Sequence, residues 1–236
     1  MSYETFSYYY DSLMDPQFYD DYYQFIQSHA KYQEVLELGC GTGEIAIRLA
    51  KDNKNVFASD LSRDMLEVCK QKAMAQDVNL MMQRVDMTDF QASHRVDLIL
   101  CLCDSINYVL SKKKIKQTFK NVYQALKKEG TFIFDIDSLY KTDVILNDYH
   151  EKDEDEEFRF QWDVELLNKG HVHHHVYIED KVEHEVVEED HYQKTYDYKQ
   201  YIKWLNEVGF QTIDIYGEFE ELHDQSERII FVCRKG

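Results

Sequence analysis

The sequence is short of positive charge: 27 Lys and Arg stand against 45 Asp and Glu, for a formal net charge of −18. A partner gripped through its phosphates needs a Lys/Arg field that releases counterions, and here the mean field repels a nucleic-acid backbone. No apolar run approaches the roughly 20 residues that cross a bilayer, so no membrane partner is expected. The opening MSYETFSYYYDSLMD lacks the basic start and apolar core of a secretory signal. The five cysteines are odd in number and form no CxxC pair. That usage predicts reduced, buried thiols in a cytoplasmic protein, with no zinc site. Cys101 and Cys103, two apart in an apolar run, would point the same way from one strand.

What is present suits one large domain, or one domain with a substantial insert: 236 residues, 44% of them hydrophobic. Asp15 before Pro16 reads as an N-cap with proline at the first helical position, and Phe18, Tyr22, Phe25, Ile26 and His29 follow at helical spacing. Short apolar runs then alternate with amphipathic segments. Residues 34–38, 56–58, 80–85, 96–102 and 131–134 read as strands, with helices over 43–52, from Ser62 to about Lys72, and along Ile115, Phe119, Val122 and Leu126. Strands of this kind imply a parallel sheet covered on both faces. One more helix, ending before Gly209, precedes strands at 210–216 and 228–233. The last of these is apolar on both faces and therefore central.

A charged stretch interrupts this pattern at about 138–196. Phe158, Phe160, Trp162, Val164 and Leu166 alternate with polar neighbours, Asn168-Lys169-Gly170 is a turn, and 171–179 and about 182–192 read as further strands. The expected organisation is an N-terminal helical cap over 1–33, a main domain over 34–137 and 197–236, and an antiparallel β insert over 138–196. The insert is expected to be a substrate lid or a dimer contact, with EKDEDEE at 151–157 kept in water. His171, His173 and His175 fall on one strand face and His174 on the other. Same-face neighbours stand about 6.5–7 Å apart, too far for three tight metal ligands, so no metal is expected there.

The residues that decide the use of this fold are Glu37-Leu38-Gly39-Cys40-Gly41-Thr42-Gly43, at the first strand–helix junction. Glycines let the backbone turn tightly and approach a ligand, and the following helix presents free N–H groups. Dinucleotide enzymes use GxGxxG here, but this third glycine comes at 43 and Glu44 follows it. Glu37 and Glu44 oppose a pyrophosphate and favour an ammonium or sulfonium. Asp60, 21 residues after Gly39, lies where an acid accepts both ribose hydroxyls. Asp86, closing the third strand, could accept an adenine amino group.

In these residues the chain resembles the class I S-adenosylmethionine-dependent methyltransferases. ELGCGTG is similar to that family's first motif, Asp60 to its ribose-binding acid, and Asp86-Met87 to its adenine-side pair. The resemblance covers about residues 34–135, and the closing helix and two strands more loosely. It implies an α/β, Rossmann-like sheet of seven strands, mostly parallel with the last antiparallel, and helices on both faces. It implies S-adenosylmethionine as cofactor and S-adenosylhomocysteine as product. The cofactor set it implies is Tyr10, Glu37, Gly39, Cys40, Gly41, Gly43, Asp60, Leu61, Asp86, Met87 and Cys103. Tyr10 stands for a tyrosine that leans over the cofactor in small bacterial members, with Tyr8, Tyr9 and Tyr19 competing for the role.

The acceptor of such folds sits beyond the fourth strand, here Cys101 to Tyr108. Asp104 and Tyr108 are the catalytic candidates, Asp104 as base or amine anchor, or else simply as a turn residue. In-line displacement on an activated sulfonium is catalysed largely by positioning, so a base is needed only for a protonated nucleophile. Nucleic-acid amine methyltransferases of this fold carry an Asn/Asp-Pro-Pro-aromatic motif, which a chain whose one proline is Pro16 does not contain. A small-molecule acceptor leads, with a protein side chain second and a homodimer through the β insert as a further contact. Two other readings stay open: a catalytically silent regulator that keeps the cofactor pocket, and a nicotinamide-dependent oxidoreductase.

Overall fold

The structure, a computed structural model, describes Ser7, Asp11 and residues 15–236. Helix α1 (Pro16–His29) begins where Asp15 accepts the Gln17 N–H, at 2.9 Å, and Pro16, which has no N–H, needs no acceptor. Then come β1 (Glu34–Leu38), α2 (Glu44–Lys51), β2 (Asn55–Asp60), α3 (Arg63–Ala75), β3 (Met81–Arg84) and β4 (Val96–Cys101). A single 3₁₀ turn (Ser105–Tyr108) leads to α4 (Lys112–Ala125) and β5 (Leu126–Asp137). After the insert, α5 (Tyr198–Val208), β10 (Thr212–Gly217) and β11 (Arg228–Arg234) close the chain.

Seven strands form one sheet in the order β10-β11-β5-β4-β1-β2-β3. β11 runs antiparallel between β10 and β5, while β1 to β5 pair parallel. Continuous apolar runs require cover on both faces, and two packed layers provide it. On one face Ile115, Phe119 and Val122 of α4, with Tyr201 and Leu205 of α5, meet Phe132, Phe134 and Phe231. On the other, Tyr22, Phe25 and Ile26 of α1, and Ile45, Ala46 and Leu49 of α2, meet Ile133, Ile230 and Val232. Phe134 and Phe231 stack across the antiparallel pair, centroids 4.5 Å apart. Every strand of this sheet except β11 therefore points its carboxyl end the same way, and β11 brings its amino end, Arg228, to that edge.

Cys101 and Cys103 do not share a face, contrary to the expectation. Cys101 ends β4 and packs in the first layer, whereas Cys103 lies past the strand and packs against the second. The left-handed backbone at Cys103 (φ +53°) and Asp104 (φ +50°) breaks the alternation.

The insert is a second sheet, β6 (Tyr149–Glu154), β7 (Phe158–Asn168), β8 (His171–Asp180) and β9 (Glu185–Lys194), antiparallel in that order. One strand more than expected is present. β6 carries much of the acidic run, which stays in water as an exposed edge strand; charge on an edge discourages further strand pairing. Phe158, Phe160 and Trp162 pack with Val176, Ile178 and Val187 and with Met65 of α3. His173 and His175 point outward, both to Asp190, while His174 is buried and accepts Trp162 Nε1–H at 3.1 Å. Among the described residues no helix is long and apolar enough to cross a membrane.

Candidate active site

A cavity of about 980 Å³ opens at the carboxyl ends of β1 to β4. Its floor is the glycine loop, fixed by Cys40 N–H on Ser59 O (2.9 Å) and Ser59 Oγ–H on Glu37 O (2.8 Å). Gly43 (φ +84°) packs so tightly that an added Cβ would lie 2.2 Å from Cys69 Sγ. Gly41 (φ +53°) has no atom within 4 Å of the same position. Close packing requires the first glycine, and an open approach to the cavity suits the second. A Cβ on Gly39 would meet Ser105 Oγ at 2.7 Å, so the loop sits directly on the 3₁₀ turn.

Four carboxylates surround this floor in different states. Glu37 is 3% exposed and its Oε2 is buried without a hydrogen-bond partner among the described residues. Burial, with Cys69 and Asp60 nearby, pushes its carboxyl well above the usual range. A cationic donor entering the cavity would complete it. Asp60 accepts Gly41 N–H at Oδ2 (2.9 Å) and Ser62 N–H at Oδ1 (2.8 Å), so it ties the loop to α3 and keeps lone pairs for a ligand. Glu44 is engaged by Lys72 and Arg48, and does not stand alone before a ligand as its place in the sequence suggests. Asp86 is exposed at the far wall, accepting Thr88 N–H at 2.8 Å, with Leu61 and Met87 lining the same end.

Cys103, Asp104 and Tyr108 line the opposite end. Asp104 anchors the turn: its N–H donates to Asp135 Oδ2 (2.8 Å), Oδ1 accepts Arg228 Nη2 (2.8 Å), and Oδ2 accepts Gln193 Nε2 (2.7 Å). Burial opposes its ionisation, but the Arg228 guanidinium and Lys141 ammonium outweigh that and hold its carboxyl below the ordinary value. Asp135, 0% exposed, also receives Arg228 Nη1, yet burial raises its carboxyl. Asp137 is pushed up to about 6 by burial and by Asp104, against Lys141 and Arg228. Three carboxylates thus converge on one guanidinium, which is 12% exposed and lies over the Phe18 ring. Tyr108 is 51% exposed, at the mouth.

Strand β9 crosses above this mouth. Its inward positions 187, 189, 191 and 193 alternate with outward Val186, Glu188, Asp190 and Tyr192, as the strand period requires. Val187 packs beside Met65 at the start of α3, Gln193 bonds Asp104, and His191 between them lines the cavity, edge-on to Tyr108 at 6.0 Å. Glu189 Oε2 is 3.3 Å from His191 Nε2.

Of the residues the sequence points to, Glu37, Gly39, Cys40, Gly41, Asp60, Leu61, Asp86, Met87, Cys103, Asp104 and Tyr108 line one cavity. Gly43 stands behind the loop against Cys69. Tyr10, with Tyr8 and Tyr9, lies outside the described residues, whereas Tyr19 lines the cavity, 6% exposed. Thr42 Oγ1 donates to Asp11 at 2.6 Å, which brings Asp11 onto the glycine loop. The sequence reading does not find Arg228, Asp135, Gln193, Glu189 or His191. Two acids inside the apolar run FIFDID were a usable signal for the buried carboxylates. The inward alternation of the 182–192 strand held the other, since it placed His191 on the same face as Val187.

The methyltransferase-domain family matches residues 35–130. A candidate methyltransferase of Geobacillus sp. (strain WCH70) is 37% identical over the whole of both chains. A crystal structure of an S-adenosylmethionine-dependent methyltransferase from Clostridium acetobutylicum ATCC 824 superposes with a TM-score of 0.89, at 26% identity, covering 99% of each chain. A glycine/sarcosine N-methyltransferase of Aphanothece halophytica is 26% identical over 85% of this chain and 74% of that protein.

Proposed function

The chain belongs to the S-adenosylmethionine-dependent methyltransferases, and from that premise we propose that it methylates a nitrogen of a small amine. The nicotinamide alternative falls with that membership. The observation that carries the amine reading is the charge of the cavity. Glu37, Glu44, Asp60, Asp64, Asp86 and Asp104 line it against Arg63, Arg84 and Lys114, with Glu44 held by Lys72 and Arg48 and Asp104 by Arg228, within a chain of net charge −18. Such a field concentrates cations and repels anionic acceptors. The volume is near the upper end of small-ligand sites, about 300–1,000 Å³, which suits a cofactor together with a small second molecule. The glycine/sarcosine relative, an N-methyltransferase by name, is in keeping with an amine.

The residues present fit the cofactor. Glu37, buried and short of a donor, suits its ammonium; Gly39, Cys40 and Gly41 offer backbone; Asp60 suits ribose hydroxyls; Leu61, Asp86 and Met87 suit the base; Gly43 fixes the loop and Cys103 the reacting end. In this reading Tyr19 takes the place over the cofactor for which Tyr10 also stands. When bound, S-adenosylmethionine supplies an electrophilic methyl group for in-line displacement. The chain's part is positioning: Asp104, held by Arg228 and Gln193, fixes the turn that carries Tyr108, and β9 covers the reacting atoms from water. Residues 138–196 act as the lid of a domain made by 34–137 and 197–236, with 1–33 as its cap.

The test is formation of S-adenosylhomocysteine against matched panels of small amines, alcohols, thiols and carbon acids. Turnover confined to amines supports the reading; turnover confined to any other class, or to a protein side chain, overturns it.

A further inference from the structure

We propose that His191, on the strand that crosses the cavity, takes the proton of the acceptor amine, and that Glu189 positions its ring. This rests on the amine reading above. An amine arrives largely as an ammonium, whose nitrogen has no lone pair until a proton leaves, so this acceptor class needs a base. Three other titratable groups at the acceptor end are unsuited, and Tyr108 stands exposed at the mouth. Both oxygens of Asp104 are engaged, by Arg228 and Gln193. Tyr19 is held in its neutral phenol form by burial and by Cys103 and Asp11. Cys103 is held as a thiol by burial and Asp135.

His191 is placed differently. β9 is pinned on both sides of it, by Val187 against Met65 and by Gln193 on Asp104, so the ring is suspended over the cavity by two fixed points. Burial favours its neutral form, against Asp190. Neither Glu189 oxygen accepts a hydrogen bond among the described residues, although its side chain is 9% exposed and Oε2 stands 3.3 Å from His191 Nε2. Burial and Asp64 raise the Glu189 carboxyl to about 7, so in the resting site it is partly protonated, and an imidazolium forming beside Oε2 draws it into the carboxylate that balances the new charge. The charged and titratable groups around the ring are Glu189 and Asp190 from β9, His173 and His174 from β8, Tyr108 from the 3₁₀ turn, and Asp64 of α3 through Glu189.

The sequence of events balances. The ammonium gives one proton to His191; the freed lone pair then forms the N–C bond as the C–S bond breaks, and its electron pair stays on sulfur. The imidazolium, opposite Glu189, returns its proton to water when the products leave.

The experiment compares parent, His191→Asn and Glu189→Gln by pH profiles of amine methylation, S-adenosylmethionine affinity by calorimetry, and ring titration by histidine NMR with S-adenosylhomocysteine bound. His191→Asn should lower kcat by about 10²-fold, erase the acidic limb of the profile, and leave cofactor Kd within twofold. Glu189→Gln should move that limb to lower pH, because the imidazolium loses its carboxylate, a shift that loss of packing would not produce. In the NMR titration the parent ring should be neutral at pH 7.5. A His191→Asn variant within threefold of the parent kcat with an unchanged profile overturns the assignment, as does an imidazolium at pH 7.5. Should the parent methylate only oxygen, sulfur or carbon, the amine reading fails, while the same profiles on that acceptor still decide the role of His191. Should no acceptor be found, the ring titration decides it.

Discussion

Replacing Arg228 by Met is the sharpest perturbation this architecture offers. The guanidinium meets Asp104, Asp135 and Asp137 together, at 12% exposure, while Asp135 is fully buried. Removing it leaves Lys141 on Asp137 at 2.8 Å as the remaining ion pair of the cluster. Breaking a buried pair by deleting one partner costs about 3–5 kcal/mol, a large share of the about 5–15 kcal/mol that holds a domain together. For a chain of this size that is a fall in Tm of about 6–20 °C. The loss should depend on pH. Asp137 already has a carboxyl raised to about 6 by burial and Asp104, and burial raises Asp135 as well. Without the guanidinium both rise further above their unfolded values. A carboxyl raised on folding contributes stability below its unfolded pKa and loses it as pH climbs through the folded one. The deficit of the variant should therefore be small near pH 4.5 and full above pH 7. Urea unfolding of parent and variant at pH 4.5, 6 and 7.5 measures it, and Arg228→Met combined with Asp135→Asn should recover part of the loss. A deficit under 1 kcal/mol, or one independent of pH, would refute the claim that these carboxylates depend on this guanidinium.

Three further outcomes follow from the site. Gly43→Ala should destabilise the fold by about 2–3 kcal/mol, since its Cβ meets Cys69 Sγ at 2.2 Å in left-handed backbone, whereas Gly41→Ala should cost about 1 kcal/mol of stability and act mainly on cofactor affinity; thermal melts and calorimetry giving the reverse order would contradict the loop assignment. Asp60→Ala removes the acceptor for Gly41 and Ser62 N–H as well as the proposed ribose bonds, and should weaken S-adenosylmethionine binding by about 1.5–3 kcal/mol, read by calorimetry, with an unchanged Kd counting against it. His174 is lowered to about 4, chiefly by burial, so the folded chain binds fewer protons than the unfolded one, and its contribution is lost as pH falls from about 6.5 to 4. Backbone hydrogen exchange in β7 to β9 should accelerate over that window, and His174→Gln, which cannot be protonated, should flatten the dependence.

The glycine loop, the succession of the first five strands along the chain and the acids at their ends were legible in the sequence because each is a local signal. A strand covered on both faces shows as an apolar run, a strand–helix junction as glycines, and Asp60 and Asp86 by their place after those runs. The alternation of the insert was legible for the same reason, and it set His171 and His173 on one face and His174 on the other. Its first strand escaped notice because an exposed edge strand such as β6 has no buried face to leave a period in the sequence.

Tertiary structure alone decided which surfaces meet. Asp104 and Arg228 are 124 residues apart and are joined only because the antiparallel β11 delivers its first residue to the edge where the parallel strands end. Glu44 faces the loop in sequence but turns to Lys72 and Arg48, since α3 packs against α2 at that point. Cys101 and Cys103 part because two residues of left-handed backbone follow β4. His191 reaches the cavity because Val187 finds Met65 and Gln193 finds Asp104. Periodicity along a chain records that a face will be covered; the covering element, and so the chemistry brought to the site, is set by contacts between segments that the pattern does not link.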